Sequence, residues 1–393
     1  MMKILIIEDD QIVANIYRNK FAIEGFEAET APNGEIGLEL VKSFRPDAVL
    51  LDLVLPNLSG LDVIRKIREG NESATVPIIV FSNTYLSQMV QDAWKAGATK
   101  CLSKTSSTPR VVIEAVRSAI KAKNPATPAT PATNPSTPAK AAEIGGEDDE
   151  KFQTQLRTDF IASLPSTLVS LRTVLQGLSR ADNEAARLKQ IQELFHQTHS
   201  LSSNAGIAAA ADIALFADAL EALLKELQDK PNNINVSTLR TTASAVDFMG
   251  VLFGNVNMPT RHHPPAEALV VDDEAISRRA VTFALEKAQM KSLAVEDPVK
   301  AVDYLTQKRF DLIFLDVDMP NMSGFELCTK IRTLPQYAKT PVVFVTGLND
   351  LESRANSTMS GGNDFIAKPF LFIELTVKAL MHVLRSRIVV AKK

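Results

Sequence analysis

Cysteine is scarce in this chain: 393 residues hold only Cys101 and Cys328. A disulfide-built secreted protein carries more, so the sequence points to a reducing compartment. Long apolar runs are missing too. None approaches the roughly 18 residues that a membrane-spanning helix needs. The opening MMKILIIEDD holds an apolar run of four residues that then meets three acids, which is not the pattern of a signal peptide. An excess of basic charge is the third absence. The 43 Lys and Arg face 46 Asp and Glu, a net charge of −3, whereas a nucleic-acid surface needs surplus cations to displace counterions. What remains is a cytoplasmic globular chain. Its 45% apolar and 23% charged residues allow sizeable cores. Its length suggests two or three domains.

The chain says one thing twice. Residues 51–60 read LDLVLPNLSG and residues 315–324 read LDVDMPNMSG, identical at six of ten positions. Such a repeat is followed outward before any motif is read. With a shift of 264, ILIIEDD (4–10) falls on the LVVDDEA region near 269–275, VPIIVFSN (76–83) on TPVVFVTG (340–347), and KCLSKT (100–105) on DFIAKP (364–369). Asp9 then pairs with Asp273, Asp52 with Asp316, Ser82 with Thr346 and Lys104 with Lys368, without an insertion.

Within copy one, short apolar runs (ILII at 4–7, AVLL at 48–51, PIIVF at 77–81) alternate with amphipathic stretches at 12–25, 34–44 and 59–70. Runs unbroken by polar residues suit strands buried on both faces. The alternation predicts an α/β doubly wound parallel sheet in each copy. Sites in such sheets lie at the carboxyl ends of the strands. Glu8 and Asp9 follow the first strand, Asp52 the third, Ser82 the fourth and Lys104 the fifth.

Several carboxylates at one sheet edge repel one another unless a hard cation sits among them, and Mg²⁺ favours carboxylate and phosphate oxygens. A lysine and a hydroxyl nearby can offset and hydrogen-bond a phosphoryl group. One Asp can then act as nucleophile and hold an acyl phosphate, and Asp52 and Asp316 are central in their sets. Singly, a strand-end Asp often only caps a helix and a lysine is usually solvated. The whole set appearing twice argues against that reading. A dinucleotide site fails at the first strand–helix turn, where IIEDDQ and VVDDEA offer acids and no glycine to a pyrophosphate.

On these residues each copy resembles a response-regulator receiver domain, a flavodoxin-like fold. The resemblance implies metal-binding acids at Glu8, Asp9 and Asp52 and at Asp272, Asp273 and Asp316. It implies phosphoacceptors at Asp52 and Asp316, with Ser82, Thr346, Lys104 and Lys368 completing the sites and Mg²⁺ as cofactor. Copy two carries the full pattern, including Pro369 and the inward-turning aromatic at Phe365. Copy one departs from it. Glu8 replaces the first Asp, Cys101 stands at the aromatic position, and Thr105 replaces the proline. The Lys104–Thr105 bond is therefore expected trans, with an altered approach of Lys104 and a weakened switch. A haloacid-dehalogenase-like phosphatase is a remote alternative. Asp316-Val317-Asp318 offers its Asp-x-Asp, but Asp52-Leu53-Val54 does not.

Residues 124–138, NPATPATPATNPSTP, contain no core-forming residue and read as a semi-extended linker, which GGEDDE (145–150) continues. A shorter break spans NMPTRHHPPAE (257–267), where His262 and His263 read as exposed linker. Between them, apolar residues recur at helical spacing, with breaks near 179–183, 204–206 and 230–235. This predicts an all-α bundle of about four helices. In ELFHQTHSLSSNAG (193–206), a stripe of Ile191, Leu194, Phe195, Thr198, Leu201 and Ala205 leaves His196 on the far face and His199 on the exposed flank. The bundle resembles a histidine phosphotransfer (HPt) domain with His199 as phosphohistidine, but Ser202 and Ser203 stand where that family has Lys and Gly.

The expected organisation is receiver (1–122), linker (123–150), HPt-like bundle (151–256), short linker (257–266) and receiver (267–393). The expected function is that of a cytoplasmic, non-enzymatic phosphorelay protein. It would be fed by a sensor histidine kinase or another phosphodonor protein and act on a downstream signalling protein. Neither nucleic acid nor membrane is expected as a partner, and a homodimer is possible. The alternative is a scaffold with an inactive bundle.

Overall fold

The computed structural model describes residues 1–70, 73–82, 87–104, 107–123, 147–257, 265–347 and 360–391. They form two compact units, one of Met1–Leu164 with His199–Asp218 and one of Pro165–Thr198 with Ala219–Lys393.

In the first unit, β1 (Met2–Ile7), β2 (Phe26–Ala31), β3 (Ala48–Leu51), β4 (Ile78–Ser82) and β5 (Lys100–Ser103) form a parallel sheet of order β2-β1-β3-β4-β5. Its connections run through α1 (Gln11–Ile23), α2 (Gly34–Phe44), α3 (Gly60–Glu69) and α4 (Ser87–Ala96), and α5 (Pro109–Lys123) follows β5. Strand side chains alternate between faces, and here both faces are covered. Ile4, Ile6, Leu50, Ile79 and Phe81 pack with Val13, Tyr17 and Phe21 of α1. Leu5, Ile7, Val49, Leu51, Ile78 and Val80 pack with Val41 of α2 and Val63 and Ile67 of α3. Burial on both sides is why the central strands read as unbroken apolar runs.

The second unit repeats the arrangement. Its sheet has β6 (Glu267–Val271), β7 (Lys291–Val295), β8 (Leu312–Asp316), β9 (Val342–Thr346) and β10 (Asp364–Ala367), in the order β10-β9-β8-β6-β7, all parallel. The repeated decapeptide is the turn after the central strand. Asn57 and Asn321 adopt the left-handed conformation, with φ of 65° and 69°. Ser59 and Ser323 cap α3 and its counterpart α12 (Gly324–Thr333), described below. A Cβ on Gly60 would lie 2.3 Å from the Asp52 carbonyl oxygen, and one on Gly324 would lie 2.0 Å from that of Asp316. The turn folds back onto the backbone of the strand-end aspartate, and only glycine fits there.

In sequence between β5 and β6 come α6 (Glu147–Ser179), α7 (Glu184–Ile207), α8 (Ala211–Asp229) and α9 (Val236–Phe253). The four expected helices are present. Two boundaries differ from expectation. α6 begins at Glu147, inside the stretch read as linker, because EDDE suits a helix's first turn. α7 continues through the expected break at 204–206, and the chain turns at Ala208–Ala210. The remaining helices of the second sheet are α10 (Ala275–Lys287), α11 (Pro298–Gln307), α12 and α13 (Phe372–Ala391). Glu374 of α13 accepts hydrogen bonds from Ser237 Oγ (2.7 Å) and Thr241 Oγ1 (2.8 Å) of α9. The Arg240 guanidinium lies 5.8 Å from the Phe365 ring. Among the described residues, no helix is long and apolar enough to cross a membrane. His262, His263 and Thr105 lie outside the described residues.

Candidate functional site

In both sheets the acids stand at the carboxyl edge. Glu8 and Asp9 follow β1, Asp52 follows β3, Ser82 ends β4 and Lys104 follows β5. Asp272 and Asp273 follow β6, Asp316 ends β8, Thr346 ends β9 and Lys368 follows β10. In copy two, Lys368 Nζ lies 3.0 Å from Asp272 Oδ2 and 3.2 Å from Asp316 Oδ2. The Val317 amide donates to Asp316 Oδ1 at 2.8 Å, and Ser277 Oγ donates to Asp272 Oδ2 at 2.5 Å. Burial and the neighbouring Asp272 raise the Asp316 pKa above the ordinary carboxylate value, and Lys368 opposes them. The Lys368 pKa is raised, because its acidic partners outweigh its partial burial.

Copy one assembles the same groups and adds one. Lys104 Nζ donates to Asp52 Oδ2 at 2.6 Å and to Glu8 Oε1 at 3.0 Å. His199 Nε2, on α7, lies 3.1 Å from the same Asp52 oxygen. The helical wheel set His199 on an exposed flank of its own stripe. The structure corrects this, for His199 is 2% exposed and faces Asp52. The stripe itself is buried and His196 is exposed. Copy one is thus a closed site, with Asp52 and Lys104 at 1% and 0% exposure. In copy two the Lys368 side chain stays 21% exposed.

Burial shapes the electrostatics. It pushes Glu8 up to about 8, with Lys104 opposing. Burial also pushes Asp52 up, yet the Lys104 ammonium and the His199 hydrogen bond win and hold it well below the ordinary range. Lys104, despite its burial, is held well above its usual value by Asp52 and Glu8.

Both acid clusters suit a hard cation. In Glu8, Asp9, Asp52 and His199, one ligand atom from each lies within 4.8 Å of the others, and the same holds for Asp272, Asp273 and Asp316. Asp9 Oδ1 and Ser82 Oγ are buried without a hydrogen-bond partner among the described residues. An acceptor aimed at a cation and a donor aimed at a phosphoryl oxygen would stand this way. Ser202 and Ser203, at the Lys and Gly positions, are fully buried.

Three residues beside the site escaped the sequence reading. Asp10 Oδ2 accepts from Ser200 Oγ and, at 3.2 Å, from Asn204 Nδ2 of α7. Asp10 is the third acid of IIEDD and falls on Glu274 at the 264 shift, which was a signal in plain sight. Ser200 and Asn204 gave no signal without knowledge of which helix face meets the sheet.

Comparison with known proteins agrees with this geometry. The family description "Response regulator receiver domain" matches residues 4–117 and 268–380. The description "Hpt domain" matches residues 155–247. Protein RcaC of Microchaete diplosiphon is 30% identical over 132 residues, which is 34% of this chain and 20% of that protein. The phosphate regulon transcriptional regulatory protein PhoB of Escherichia coli is 36% identical over 116 residues, 29% of this chain and 51% of PhoB. The solved chemotaxis response regulator CheY4 of Vibrio cholerae is 32% identical, covering 30% of this chain and 99% of that one, with a TM-score of 0.29. This chain spans about half or less of the length of these two curated relatives. With two matched segments that together exceed half its length, the chain belongs to the response-regulator receiver family, and its two receiver domains flank an Hpt domain.

Proposed function

We propose that the chain is a phosphorelay signalling protein in which His199 and Asp52 exchange a phosphoryl group, while Asp316 is a second acceptor. The observation that carries this reading is the 3.1 Å approach of His199 Nε2 to Asp52 Oδ2. The two atoms are in direct contact, so a small parting of α7 from the sheet edge would admit a phosphoryl group in line between them. In transfer from His199, the Nε2–P bond breaks as the bond from phosphorus to the Asp52 carboxylate forms. With Nδ1 carrying a proton, the bonding pair stays on Nε2 and His199 is left as neutral imidazole protonated at Nδ1, and the reverse step restores phosphohistidine. Ser82 Oγ donates a hydrogen bond to a phosphoryl oxygen, and Lys104 offsets its charge. Lys104 thereby supplies the cation that Ser202 does not.

Glu8, Asp9 and Asp52, and likewise Asp272, Asp273 and Asp316, are the proposed holders of Mg²⁺. When bound, Mg²⁺ neutralises charge on the transferring group. The phosphodonor is proposed to be a histidine kinase or a related phosphohistidine protein, and the output a protein contact. Being a phosphoacceptor, the chain turns over no substrate of its own. The scaffold alternative gains nothing from these contacts, since an inactive bundle gives no reason to bury His199 against Asp52. The experiment is to phosphorylate the full chain with phosphoramidate and Mg²⁺ and assay acid-labile, alkali-stable phosphohistidine. The reading expects it in wild type and not in His199→Ala. Its absence from wild type overturns the relay.

A further inference from the structure

We infer that Asp10 is the residue that selects the first receiver as the partner of His199. The inference rests on the exchange proposed above and adds its specificity. Asp10 uses its two carboxylate oxygens for two helices. Oδ1 caps α1, accepting from the Ile12 and Val13 amides at 2.8 and 3.2 Å. Oδ2 accepts from Ser200 Oγ and Asn204 Nδ2 on α7. Asn204 Nδ2 also donates to the Ser200 carbonyl at 2.9 Å, so the pair is pre-set one helical turn apart. His199 precedes Ser200. Once Asp10 holds Ser200 and Asn204, rotation of α7 about its axis is fixed and Nε2 points at Asp52. Apolar contact supports the clamp, as Ile207 joins the cluster of Val13, Tyr17 and Phe21. The Lys20 ammonium lies 5.7 Å from the Phe152 ring.

The second receiver offers an internal contrast. Glu274 stands where Asp10 does and caps α10 without a side-chain hydrogen bond. Its carboxylate is 59% exposed and lies 3.8 Å from its own Lys368. Arg278, bonded to the Asp272 and Asp273 carbonyls, replaces Ala14. The same edge of copy two therefore offers a longer carboxylate that is not anchored at the helix start and leans to its own Lys368, in place of the fixed acceptor that Ser200 and Asn204 use. Partner choice by His199 lies in one position of the repeat, one residue past the metal-binding acids.

The test uses the full chain carrying Asp316→Asn, so that only Asp52 takes phosphate. Asp10→Asn is the informative variant, because Asn caps a helix as well as Asp but turns the Oδ2 acceptor into a donor facing the Asn204 amide. After loading with phosphoramidate and removal of the donor, passage from Asp52 to His199 is followed, together with amide hydrogen exchange over 200–207. Asp10→Asn is expected to slow passage about tenfold, as the loss of one charge-assisted hydrogen bond implies, and to reduce protection of 200–207. Adding Asn204→Asp, which restores a donor–acceptor pair of reversed sense, is expected to recover both. A paired Ser200→Ala, Asn204→Ala variant should match Asp10→Asn in both readouts, and a wild-type midpoint of thermal unfolding controls for misfolding. Unchanged passage or unchanged protection in Asp10→Asn, or no recovery in the compensated variant, overturns the inference. Should wild type form no phosphohistidine, the relay reading fails separately. Asp10 is then judged by exchange alone, with loss and recovery of protection sustaining the clamp and their absence overturning it.

Discussion

Asp364 opens β10 with a half-buried carboxylate that meets Lys378 Nζ at 2.8 Å and His382 Nε2 at 3.3 Å. Burial alone would raise its pKa, but the His382 hydrogen bond and the Lys378 charge outweigh it and hold the group at about 2. Its ordinary value is 3.8. A carboxyl depressed on folding contributes stability that is present above the unfolded value and is lost as pH falls through the folded one. The size is about 2 kcal/mol, since each pKa unit is worth about 1.4 kcal/mol. We expect Asp364→Asn to destabilise the second unit by about 2 kcal/mol or more at pH 7, as Lys378 would keep a buried charge without this partner. The gap to wild type should close as pH drops from about 4 to about 2. Urea unfolding read by amide exchange in β9 and β10 measures it. A gap that is constant with pH would exclude the ion pair as its cause.

At the scale of elements, the turn after the central strand makes the sharpest demand on sequence. Gly324 faces the Asp316 carbonyl, and both partners are backbone, so no flexible side chain can give way. Gly324→Ala is expected to cost about 1–3 kcal/mol, the usual range for overpacking, and to slow phosphorylation of Asp316 by displacing it. Gly347→Ala, with nothing among the described residues within 4 Å of its added Cβ, is the control and should cost little. Chemical denaturation and phosphoramidate labelling read both. The same demand made the repeat legible, because Asn, Ser and Gly recur where a left-handed residue, a cap and a close approach are required. Central strands were legible for a related reason, being covered on both faces. Edge strands were not: β2 reads FEAETA with alternate residues half-exposed, and β7 reads KSLAV. An exposed face admits polar residues and weakens the signal. His199 was misread on a different ground. The helical wheel sees one helix and its own stripe, whereas the partner that buries His199 is Asp52, 147 positions earlier. Local periodicity holds no trace of that pairing. A difference between the copies follows from Cys101, which stands half-buried where copy two has Phe365 beneath Arg240. We expect Trp94, half-exposed on α4, to change its fluorescence less on phosphorylation of Asp52 than the amides around Phe365 shift on phosphorylation of Asp316. Equal responses would refute a weakened switch in copy one.

For the whole molecule, the acids near His199 decide where phosphate travels. Glu8, Asp9 and Asp52 share its cluster, whereas Asp316 clusters with Asp272 and Asp273. On the proposed relay, Asp52 exchanges with the bundle histidine and Asp316 is loaded directly by the phosphodonor. Phosphate adds about −1.5 to −2 charges at pH 7. At copy one it would arrive beside a fully buried Lys104 with no bundle lysine in support, so Lys104 carries the balance for both states of the relay. We expect Lys104→Met to abolish exchange between His199 and Asp52, since removing one partner of a buried ion pair leaves the remaining charges uncompensated. The discriminating experiment labels the full chain with phosphoramidate and compares His199→Ala, Asp52→Asn, Asp316→Asn and Lys104→Met. His199→Ala should lengthen the lifetime of phosphate on Asp52 and leave Asp316 unchanged. Asp316→Asn should remove one label without altering exchange in copy one. If His199→Ala changes Asp316 and Asp52 alike, the histidine serves both receivers and the pairing seen at Asp52 is not exclusive. If it changes neither, the bundle is a scaffold.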